Sequence, residues 1–173
     1  MPGATLIKAL TSVPAARGGT ADGTTETAFT NAAGTSALAY IPGQSIVANK
    51  PFRIRAYGRC TGGTTTNVTI AIYLQSATTL TSGNKVATTG AIACNSASGN
   101  WSLIVDAQID STSKKVNGRY SGWLNATAVA AAVISNQVSQ DPTGADLPVM
   151  ASSTFSASNS GNVATLDGLD IEF

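Results

Sequence analysis

Trp101, Leu103, Val105, Ala107 and Ile109 are apolar at every second position, with the mostly polar Ser102, Asp106, Gln108 and Asp110 between them. Successive side chains of a β-strand point to opposite faces, so such a segment buries one side and wets the other. The rhythm recurs in Phe52, Ile54, Ala56, Gly58 and Cys60, set against Arg53, Arg55, Tyr57 and Arg59, and again in Val68, Ile70, Ile72 and Leu74. Further strands are expected at Ala37 to Ile41, Ser45 to Ala48, Lys85 to Cys94, Lys115 to Asn125, Val149 to Ala157 and Val163 to Phe173, separated by glycine, proline and asparagine turns. Eight or nine strands at this spacing, with no helices between them, predict an antiparallel sandwich or barrel. Ala126 to Ile134 is the one helix candidate, with Asn125 at a capping position; a strand or an irregular loop are its alternatives.

The chain has 173 residues, enough for one domain that buries roughly 70% of its unfolded surface without a metal or disulfide. Residues 1 to 35 are rich in Gly, Ala and Thr with little periodicity, and they read as an extended arm ahead of a domain at 36 to 173. Leu6, Ile7, Leu10 and Val13 are its apolar anchors, whether it docks on its own domain or on a neighbour. Charged residues make up 11% of the chain, about half the usual share. A surface so poor in charge suits life at high local density. The first 60 residues are net basic and the rest net acidic, but nothing forms the dense basic stripe of a nucleic-acid binder. No apolar run approaches membrane-spanning length, and Met1 to Leu10 lack a signal-peptide pattern, so synthesis in a reducing cytoplasm is expected.

Little here is catalytic. Histidine is absent, which removes the commonest general base and the usual serine and cysteine triads. Asp106 and Asp110 would lie on one strand face about 13 Å apart, too far for either glycosidase geometry. Asp167, Asp170 and Glu172 read as a solvated edge in preference to a calcium cluster. Cys60 and Cys94 cannot make a zinc site by themselves, and both thiols are expected reduced and buried, with a disulfide as the alternative if their strands pair. No metal and no cofactor are expected.

Surface residues are more telling. Arg53, Arg55 and Arg59 share a face with Tyr57, either as a wet outer face with cross-strand partners or as a platform for an anionic glycan or acidic protein surface. Trp101 belongs to the strongest apolar stripe and is assigned to the core; Trp123 is the better surface contact.

Read together, Ala39-Tyr40-Ile41-Pro42-Gly43, Phe52-Arg53-Ile54-Arg55-Ala56-Tyr57-Gly58, Ala97-Ser98-Gly99-Asn100-Trp101 and Gly161-Asn162-Val163-Ala164-Thr165-Leu166 resemble recurring blocks of tailed-bacteriophage structural proteins. These are capsid decoration (cement) proteins and related tail or fibre modules. The likeness covers approximately residues 25 to 173 and rests on the order and spacing of common strand-and-turn phrases. It implies an all-β, antiparallel, jelly-roll-like sandwich and a non-enzymatic virion component made in the host cytoplasm. It further implies a homo-oligomer, with a trimer favoured, seated on the major capsid protein or neighbouring virion subunits. On this reading Leu6, Ile7, Leu10 and Arg17 of the arm make the contact that cements the shell. The alternatives are a carbohydrate- or receptor-binding module of a tail fibre using Arg55, Tyr57 and Trp123, and a tail or connector subunit.

Overall fold

The structure, a computed structural model, describes residues 9–11, 16–18, 24–30, 38–41, 49–63, 66–74, 79–94, 99–134, 146–159 and 161–172. Its strands are β1 (Ala9–Thr11), β2 (Ala16–Gly18), β3 (Thr27–Ala28), β4 (Leu38–Ile41), β5 (Pro51–Thr61), β6 (Asn67–Leu74), β7 (Lys85–Thr88), β8 (Ile92–Ala93), β9 (Gly99–Ile109), β10 (Val116–Leu124), β11 (Thr127–Val133), β12 (Leu147–Phe155) and β13 (Val163–Glu172). Among the described residues the sole helical element is a 3-10 turn at Ser82–Asn84.

Two antiparallel sheets pack face to face as a β-sandwich. One has the order β1-β13-β5-β9-β10-β11, with β2 also on β13; the other has β3-β12-β6-β7, with β4 on β12 and β8 on β6. The alternating apolar residues meet between them: Ile54, Ala56, Trp101, Leu103, Val105 and Ile109 from the first sheet, and Val68, Ile70, Ile72, Leu74, Val149 and Phe155 from the second, are all buried. Trp101 lies flat at the centre because Gly58 leaves room for it. A Cβ on Gly58 would come within 1.9 Å of the Thr165 carbonyl oxygen and 2.9 Å of the indole. The indole Nε1 donates to that same oxygen at 3.1 Å, so the one polar atom of the side chain is satisfied in the core.

Several expectations are corrected. Ala126 to Ile134 forms β11 and no helix: Asn125, at φ 53, turns the chain back in two residues and Thr127–Val133 pairs along β10. Lys85 to Cys94 is two short strands, broken where Thr89 accepts the Ile70 N–H on its hydroxyl and Gly90 takes φ 67. Asp110 lies beyond the end of β9, where its carboxylate caps the turn by accepting from the N–H groups of Thr112 and Ser113, so it does not share a strand face with Asp106. The strand expected at Ser45 to Ala48 lies outside the described residues.

Candidate functional site: the outer face of the larger sheet

The odd-numbered residues of β5 face away from the core, and register extends each of them into a row across the sheet. Glu172, Arg53, Asp106, Arg119 and Val133 form one row, alternating in charge until the last. Next comes Asp170, Arg55, Ile104 and Ser121, then Gly168, Tyr57, Ser102, Trp123 and Ala128. Same-face rows on a strand are separated by about 6.8 Å, so the charged row and the aromatic row stand about 13 Å apart. Between the charged row and Gln108 and Asn117 lies an open concavity of 720 Å³.

The arginines are neither equivalent nor all free. Arg53 Nε donates to Asp106 Oδ1 at 2.6 Å. Arg59 holds Asp167 with two bonds, Nε to Oδ2 at 2.9 Å and Nη2 to Oδ1 at 3.1 Å. Asp167 reaches it because β13 carries an irregularity between Leu166 and Gly168. In each pair the hydrogen bond that the guanidinium donates to the carboxylate leads the upward shift of its pKa, with the carboxylate charge second. Arg53 and Arg59 thus have the cross-strand partners expected of a solvated face. Arg55 differs: its guanidinium carbon sits 5.3 Å from the Tyr57 ring centroid, and it has no ion pair among the described residues. The Tyr57 ring in turn covers Gly168, whose absent Cβ would fall 2.4 Å from the ring.

Tyr57 and Trp123 flank Ser102, which is buried at 3% exposure although it faces outward. Trp123 is 44% exposed, and Val133, at the end of β11, is 76% exposed. The Tyr57, Arg55 and Trp123 of the sequence reading therefore share one accessible surface, and Trp101 lies beneath it in the core. Sequence reasoning expected the strand that carries Trp123 but missed Arg119 on it, and it missed Ala128 and Val133 because Ala126 to Ile134 is a helix candidate by sequence. The signal available was the turn-forming Asn125 between two segments of strand-like length.

The arm residues are placed differently. Leu10 lies in β1 opposite Asp170, and Arg17 in β2 opposite Thr165, so the backbone of both strands pairs with β13 of the same chain. Leu6 and Ile7 lie outside the described residues. Further along, Glu26 is tied to the outer face of the second sheet. Its carboxylate accepts from the Ser152 hydroxyl at 2.6 Å, the Tyr73 hydroxyl at 2.7 Å and Lys85 Nζ at 3.2 Å. Burial is the largest influence on this carboxyl and pushes its pKa up, but the hydrogen bonds and the lysine charge together outweigh it and hold it below 4.5.

Among the described residues no three His, Cys, Asp or Glu side chains are grouped as a metal site, and no helix is long and apolar enough to cross a membrane. What this face offers is aromatic surface, a guanidinium with no ion pair among the described residues, and backbone edge. Neither a protein-family model nor a curated protein matches the chain.

Proposed function

We propose that this chain is a non-enzymatic structural protein of a bacteriophage virion, a decoration subunit that stabilises the capsid by binding assembled neighbours better than free ones. The observation that carries this reading is β11. It forms an end of the larger sheet, and no strand among the described residues pairs with its far side. Its sequence, Thr-Ala-Val-Ala-Ala-Ala-Val, contains no charge and no proline. Sheet edges of soluble monomers are commonly guarded by both, because unpaired N–H and C=O groups recruit other strands. A bulge between the Tyr120 and Gly122 register positions interrupts this edge but puts no charge on it. Association with further copies or with shell subunits is what such an edge suits, together with the low charge of the chain and its resemblance to phage structural proteins. The arm contact remains part of the proposal for Leu6, Ile7, Leu10 and Arg17; β1 and β2 would then exchange their pairing with β13 for a neighbour.

A second reading, a carbohydrate- or receptor-binding module of a tail fibre, is favoured by the Tyr57–Ser102–Trp123 row. Two aromatic side chains on either side of a small residue, with Arg55 beside them, form a platform suited to stacking on a sugar ring. Immunogold labelling of virions with an antibody against this chain separates the readings. Label at lattice positions on the head supports decoration, label at a fibre tip supports the second reading, and particles without label overturn both. A glycan array comparing wild type with Trp123→Ala then tests the platform directly.

A further inference from the structure

Cys60 closes the buried stripe of β5 in the larger sheet, and Cys94 follows β8 of the smaller one. Both are free and buried in the same core cluster. The crossover after β5 brings them together at one end of the sandwich: a Cβ on Gly62, two residues beyond Cys60, would stand 3.3 Å from the Cys94 Cβ, and the Cys94 N–H donates to Thr66 O at 2.9 Å. The two thiols are near enough to perturb each other, and Cys94 together with burial pushes the Cys60 pKa up.

We propose that Cys60 and Cys94 are a redox-controlled staple: reduced where the chain is made, they form a disulfide joining the two sheets once an oxidising disulfide is supplied. The thiolate of either cysteine attacks oxidised glutathione, expelling one glutathione thiolate and leaving a mixed disulfide. The other cysteine then loses its proton and attacks the protein sulfur of that mixed disulfide, expelling the second. Two protein thiols and one glutathione disulfide become one protein disulfide and two glutathione thiols. The inference is independent of the virion reading, because it needs an oxidant and no particular partner.

The test uses the full chain, unfolded under reducing conditions and refolded in buffer with excess oxidised glutathione, so that burial does not limit access. The expected result is a mass loss of about 2 Da, no alkylation by iodoacetamide under denaturing conditions, and a Cys60–Cys94 peptide in a non-reducing digest. Closing a loop of about 35 residues should raise the melting temperature by about 10 °C over the same sample reduced. Cys60→Ser and Cys94→Ser should each melt at the same temperature in both buffers. Two alkylated cysteines after refolding, disulfides only between chains, or a linked protein that melts no higher would each overturn the staple.

Discussion

The rings of Phe29 and Trp101 are stacked, with centroids 5.8 Å apart and planes 13° from parallel. Trp101 comes from β9 in the larger sheet, and Phe29 is held on the smaller one by its N–H, which donates to the Ala151 carbonyl at 3.0 Å. The stack therefore joins the two layers through a residue of the glycine-, alanine- and threonine-rich leading segment. Phe29 is fully buried.

Phe29→Ala should consequently cost about 3–5 kcal/mol, the range for emptying a buried aromatic site. Denaturant unfolding followed by Trp fluorescence measures it. A loss under 1 kcal/mol would mean that the leading segment is dispensable to the core.

Glu26 predicts a particular response to acid. Its carboxyl pKa in the fold lies below the ordinary 4.5, so its stabilising contribution is complete above that pH and disappears as the pH falls through the lower folded value. Glu26→Gln should be about 1–3 kcal/mol less stable than wild type at pH 7. That difference should shrink as the pH is lowered below 4.5, as read from unfolding curves across the titration. A gap that stays constant down to acid pH would show that the charge of Glu26 does not hold this segment.

Gly58→Ala should destabilise the sandwich by about 1–3 kcal/mol, because its Cβ meets a carbonyl oxygen and the indole, and strand backbone cannot yield without disturbing β13. Near-ultraviolet circular dichroism should register the displaced Trp101. An unchanged spectrum and melting temperature would contradict the close approach.

The two tryptophans should behave oppositely. Trp101→Ala should cost about 3–5 kcal/mol, whereas Trp123→Ala should stay within about 1 kcal/mol of wild type, since its side chain is largely outside the core. Thermal unfolding of both variants decides this. A stable Trp123→Ala is also what makes that variant a clean probe of surface recognition.

Alternation alone determined that β5, β6 and β9 are strands, which residues of each face the core, that Trp101 is core and Trp123 surface, and that Cys60 lies inside. These properties are local, because strand side chains alternate with a period of two wherever the strand is placed. The state of Thr127–Val133 was not local: alanine and valine fit a helix or a strand, and pairing along β10 decided between them. Tertiary structure alone decided that Tyr57, Ser102 and Trp123 share a row, that Glu26 meets Ser152 and that Phe29 reaches Trp101. Each of these contacts depends on which strands are neighbours and in what register, and that choice is made by burying all the apolar faces at once.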